Sequence, residues 1–173
     1  LIRRQAFRRR LSYITSQLPM DIHAIAIQSL QSKWHHSVVC FIHSRFERVN
    51  CVKFAFLDLD WNIPVENEDA IADEGFLVGT KLIKLLLVKH VLVKTSARRA
   101  DYAIYFRKGK ITHIGMMRKH RKVLSKWGKG LVYEHGPKEV PVNYGNPVFY
   151  RHAVSKQYTY QKVAEALQVL LGS

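Results

Sequence analysis

Two side chains in this chain have types and spacing suited to covalent chemistry. Cys51 stands in the run Val49-Asn50-Cys51-Val52-Lys53-Phe54-Ala55-Phe56, and His113 follows about sixty residues later. A thiol attacks a carbonyl only as its thiolate, so it needs a base and a positive field. Asn50 is a good cap for a helix opening at Cys51. That placement gives the sulfur the helix dipole and free N–H groups, which favour thiolate and can double as an oxyanion hole. His113 is the candidate base. The carboxylate of Asp101 is the candidate group to hold its imidazole in one tautomer and to stabilise the protonated form.

The elements that must position these groups are legible in the hydrophobic pattern. From Asp101 the apolar period is two. Asp101–Arg107 reads as a strand, Lys108-Gly109 as a tight turn and 110–116 as the returning strand. The hairpin is expected to set Asp101 and His113 on neighbouring strands near its open end, where opposed residues lie roughly 5 Å apart. Further strands are expected at 123–127, 131–134 and 147–151, with an extended piece at 91–94. Helical spacing marks 1–18, 22–46 with Asp21 as its cap, a short helix from Cys51 toward 57–60, and 76–90. The last helix is expected over 160–171, capped by Thr159 and stopped by Gly172. Helices first and an antiparallel sheet afterwards predict an α+β fold with N-terminal helices packed on a small sheet. A basic arm or helix over 1–20 precedes one domain over 21–173.

Simpler roles exist for the same residues. Cys51 among Val52, Phe54 and Ala55 also suits a small core hydrophobe. His113 also suits an ordinary sheet position, and Asp101 suits pairing with one of its many basic neighbours. His35, His36 and His43 fall on the 22–46 helix as a solvated face, too few and too far apart for zinc, so no metal or other cofactor is expected. Phe56-Leu57-Asp58-Leu59-Asp60 has the hydrophobic-Asp-x-Asp form of some magnesium-dependent polymerases and primases. The later Ser-x-His and third carboxylate of those enzymes are missing.

The segment 50–55, with Trp61 and Pro64 after it, resembles the Asn-Cys-x-x-(aromatic)-Ala motif of the NlpC-type and CHAP-type cysteine hydrolases. These are papain-like enzymes, and the likeness is to a bacterial branch of them. A second block is similar to the same branch: Asp101-x-Ala103-Ile104-Tyr105, Gly109 to His113, Ser125-Lys126-Trp127-Gly128, Glu134-His135 and Tyr144-Gly145. The resemblance spans about residues 49–151. It implies an NlpC-like core and a cysteine peptidase or amidase that cleaves peptide or protein amides through a thioester. In NlpC-type enzymes the catalytic histidine usually opens a strand like 101–105, and a second polar residue sits where His113 falls. Here Asp101 holds the first position, so either the two have exchanged strands or catalysis is altered or lost. Ser125 and His135 are alternative third groups, and Asn50 belongs to the motif itself.

The composition bounds the setting. The chain has 173 residues, 47% of them apolar, enough for one core. Two cysteines, Cys40 and Cys51, make no disulfide framework and fit a reducing compartment. No apolar run has the length of a membrane span, and no signal peptide is visible. A cytoplasmic location is expected, or delivery from the cytoplasm as part of a larger protein such as a toxin or effector. The net charge is +15 and unevenly spread. Residues 1–20 carry five arginines and no acid, 58–74 carry seven of the thirteen acids, and 81–129 carry fifteen Lys or Arg against Asp101 alone. Such a surface suits an acidic inhibitor protein, or a nucleic acid bound without catalysis.

Overall fold

The computed structural model describes residues 2–34, 39–41, 51–56, 75–127 and 131–171. In chain order these form α1 (Ile2–Gln17), α2 (His23–Trp34), β1 (Val39–Phe41), α3 (Cys51–Ala55), α4 (Gly75–Val88), β2 (Leu92–Lys94), β3 (Tyr102–Arg107), β4 (Lys110–Met117), β5 (Val123–Lys126), β6 (Val132–His135), β7 (Asn146–His152) and α5 (Lys156–Leu171). The strands make one antiparallel sheet in the order β1-β6-β5-β4-β3-β7-β2. The fold is α+β, as the pattern predicts.

The middle of the sheet is buried on both faces. Along β3, Tyr102 and Ile104 join one core, with Cys51, Val52 and Phe56 of the α3 region, Leu82, Ile83 and Leu86 of α4, and Val163 and Leu167 of α5. Ala103 and Tyr105 join a second core, with Phe7, Leu11 and Ile14 of α1 and Ile27 and Leu30 of α2. Each helix contributes an apolar stripe at three- and four-residue spacing, and each strand divides its side chains by period two. Ile2–Gln17 are therefore a helix packed on the sheet through Phe7, Leu11 and Ile14. The buried Arg8 ties α1 down further, its Nε donating to the Val140 carbonyl at 3.0 Å and its Nη2 to that of Gly145.

Several boundaries differ from the sequence expectation, each for a local reason. Of the expected 22–46 helix, His23–Trp34 are helical, and Val39–Phe41 extend instead to pair with Val132–Glu134. Sheet pairing outweighs the helical spacing of those apolar residues. The last helix starts one turn before Thr159. Its cap is Ser155, whose Oγ accepts from the Tyr158 N–H at 3.0 Å, while Thr159 sits inside the helix and donates its hydroxyl to the Ser155 carbonyl. The segment around His35, His36 and His43, the acidic stretch with Asp58 and Asp60, Trp61, Pro64 and Asn50 lie outside the described residues.

Two glycines set close approaches that matter for the site. A Cβ on Gly79 of α4 would lie 2.8 Å from Val52 Cγ2, so the glycine lets α4 press α3 onto the sheet. Gly145 holds φ +82° and ψ −139°, and a Cβ there would lie 2.1 Å from the Phe106 carbonyl oxygen. An alanine at this position is both strained and blocked. Gly145→Ala is expected to cost about 3 kcal/mol and lower the melting temperature by roughly 6–12 °C in calorimetry, whereas an unchanged melting point contradicts this packing.

Candidate functional site

The β3–β4 hairpin controls where the candidate groups fall. Its pairs run Tyr102↔Met116, Ala103↔Gly115, Ile104↔Ile114 and Tyr105↔His113, then slip to Phe106↔Ile111, which leaves Thr112 as an extra residue. Opposed residues share a sheet face. Ile114 therefore faces the α3 core with Ile104, and His113 faces the α1/α2 core with Tyr105. The His113 ring is 2% exposed and stacks on Tyr144 at 4.2 Å and 12°, with the Tyr105 ring tilted at 5.4 Å.

Cys51 lies on the other side of β4, packed with Ile104 and Ile114. Its sulfur is met by the backbone N–H groups of Ile114, Val52 and Cys51 itself, and the Lys126 ammonium adds a favourable field. Burial outweighs them, and the thiol is pushed up to about 11. The expectation that the helix start would favour thiolate is thus reversed. The helix is only five residues long, and the sulfur is almost fully enclosed.

The expected triad is not assembled. The thiol and the imidazole sit on opposite sides of the β4 backbone, at adjoining residues of one strand. Asp101 is further away still. Its carbonyl accepts from Met117 N–H at 2.8 Å at the open end of the hairpin, whereas His113 lies close to the Lys108-Gly109 turn. The four-residue offset between Asp101 and Tyr105, the partner of His113, is about 13 Å of strand. Asp101 serves His152 instead, accepting from its backbone N–H at 2.9 Å, with the His152 Nε2 at 3.9 Å. The other ring nitrogen of His152 donates to Thr159 Oγ1 at 2.8 Å. The Thr159 proton goes to Ser155, so this hydroxyl–imidazole–carboxylate row is a tie between β7, α5 and β3 rather than a nucleophile.

Of the alternative third groups, His135 is the ionisable neighbour of His113, and Ser125 is bonded to His135. Both imidazoles are held below the usual histidine range, first by burial. His135 Nδ1 lies 2.8 Å from the Gly136 carbonyl, which fixes the proton there. Its Nε2 then accepts from Ser125 Oγ at 2.8 Å, and Ser125 accepts from Trp127 Nε1 at 3.0 Å. Every member of this row is satisfied. His113 is not: its Nε2 is buried and has no hydrogen-bond partner among the described residues. The Tyr105 hydroxyl in the same core is likewise buried with no hydrogen-bond partner among the described residues.

Lys126, which the sequence places with Ser125 as a residue that lines the cleft or orients the neighbouring strand, is a charged neighbour of the thiol. It follows Ser125, so it faces the α3 core, and it is 2% exposed. A lysine inside a run of strand alternation was the available signal. Among the described residues no group of three or more His, Cys, Asp or Glu side chains is placed to hold a metal ion.

Two fully buried neutral histidines make the fold acid-sensitive. His135 titrates near 4 in the folded chain against about 6.5 when unfolded, so the unfolded state binds more protons between those values. Its stabilising effect is complete above pH 6.5 and is lost as pH falls toward 4, about 3 kcal/mol from this group; His113 acts in the same direction. Urea midpoints are expected to drop between pH 7 and pH 4, and the drop should shrink in His135→Gln. A midpoint that is flat over this range contradicts the buried, neutral assignment.

Compared with known proteins, the chain matches no family model, no curated protein and no solved structure.

Proposed function

We propose that this chain is a thiol hydrolase of the papain-like, NlpC-like type, with Cys51 as nucleophile, His113 as base and His135 in the third position in place of Asp101. The observation that carries the reading is the open, buried Nε2 of His113, one residue along β4 from the strand position that holds the Cys51 sulfur. The described β4–β5 pairing is confined to Met116↔Leu124 and Met117↔Val123. On the β5 side the N–H of Ile114 is thereby left to meet the thiol. The reading requires the imidazole to leave the α1/α2 core and reach the sulfur past the part of β4 that has no described pairing with β5 when a substrate amide enters.

The chemistry starts from a neutral pair. Burial raises the thiol and lowers the imidazole, so no resting ion pair forms. His113 takes the thiol proton as sulfur bonds to the amide carbon. The N–H groups of Ile114 and Val52, which meet the sulfur in the free protein, would have to turn to the charge developing on the carbonyl oxygen. The C–N bond then breaks as His113 returns the proton to the leaving amine, and a thioester remains on Cys51. Water, deprotonated by the same imidazole, hydrolyses it and regenerates the thiol.

An activated acetyl ester tests this without knowledge of the substrate. Purified protein treated with p-nitrophenyl acetate should acquire one acetyl group on Cys51, seen by mass spectrometry, and should turn the ester over. Cys51→Ala should abolish turnover, and His113→Ala should slow it by about 100-fold or more, the usual contribution of a general base. Acetylation of Cys51 no faster than of Cys40, or a rate indifferent to His113, overturns the proposal.

A further inference from the structure

The residue that fails as the orienter of His113 organises a different surface. Asp101 fastens three segments at one end of the sheet. Its N–H donates to the Tyr150 carbonyl at 2.9 Å, its own carbonyl accepts from Met117 N–H at 2.8 Å, and its carboxylate accepts from His152 N–H at 2.9 Å. Each segment carries exposed cations beside the fastening point. Arg98 and Arg99 precede Asp101, Arg118, Lys119 and Arg121 follow Met117, and Arg151 lies between Tyr150 and His152. Asp101 is the sole acid in these segments, and its carboxylate is already engaged.

The turn that carries Arg118, Lys119 and Arg121 is fixed in shape. Arg118 N–H donates to the Lys122 carbonyl at 2.8 Å and closes it. His120 and Arg121 are both held at φ 57°, a left-handed conformation that non-glycine residues seldom adopt. Strain of this kind persists where the surroundings over-determine it, and it is concentrated at functional positions. Here the turn carries Arg118, Lys119 and Arg121, all three exposed.

We infer that this end of the sheet is a binding surface for the phosphate backbone of a nucleic acid, independent of any hydrolase chemistry. Five of the six cations are arginines, whose planar fork fits phosphate oxygens in pairs. None of the large apolar side chains exposed among the described residues belongs to these segments. Val154, two residues past His152, is the nearest of them in sequence, and it is a single side chain where a cationic face seated in a membrane inserts several.

Fluorescence anisotropy with a labelled DNA duplex of about 20 base pairs, titrated across salt, is the test. Six phosphate contacts give a log–log salt slope near −5, at about −0.9 per contact. The triple variant R118Q/K119Q/R121Q should make that slope shallower by about 2.7 and weaken binding at low salt by tenfold or more. The control K81Q/K84Q/K89Q removes the same charge from exposed positions in and just after α4, and should leave the slope as it was. Equal losses in the two variants, no salt-dependent binding, or tighter binding to phosphatidylserine vesicles than to DNA would each overturn the inference.

Discussion

Strand β4 is buried on both of its faces, and the alternation of its side chains decides the chemistry available to the whole molecule. Each residue along it must enter one core or the other, because neither face meets solvent in the middle of the sheet. Ile114 enters the core of α3, α4 and α5, and His113 enters the core of α1 and α2. The extra residue at Thr112 shifts the register near the turn, so the apolar Ile111 and Ile114 share one core although three positions separate them. A strand with no bulge would put them on opposite faces. The placement of the thiol on one side of this strand and the imidazole on the other follows from that single constraint.

The hairpin itself was legible because its signals are local. Gly109 adopts φ +73° at the turn, and the flanking residues alternate over both strands. What the pattern could not carry is parity across distance. Nothing in the spacing of Cys51 and His113 says which face of the sheet α3 covers. Asp101 and His113 share a hairpin in the sequence, yet one lies at its open end and the other near its turn. Cys51 was legible as a helix start, but the enclosure that raises its thiol comes from α4 and β4, elements far away in the chain. Likewise Val39–Phe41 carry helical spacing and become a strand because β6 offers a partner.

The site that results is polar, enclosed and neutral. Ser125, Trp127, His135 and the Gly136 carbonyl satisfy one another completely, which rigidifies the α1/α2 side of β4. The segment that caps His113 is held as firmly. Tyr144 stacks on its ring, the Thr112 hydroxyl lies against the Tyr144 carbonyl, and Arg8 of α1 grips Val140 and Gly145 on either side. Against this background the Nε2 of His113 and the hydroxyl of the neighbouring Tyr105 are buried without a hydrogen-bond partner among the described residues. Across the strand, Lys126 and three backbone N–H groups favour thiolate on Cys51 while burial opposes it more strongly. Substrate entry would have to change that balance by altering the surroundings of the sulfur.

Titration of the Cys51 thiolate by its absorbance near 240 nm, in a Cys40→Ser background, tests this separation of sulfur and imidazole most directly. The free protein should show a thiol titrating near 11, and His113→Ala should leave that value in place. A thiol below the ordinary value of about 8.5 that rises when His113 is removed would mean a resting ion pair on one face of the sheet, and would contradict the arrangement described.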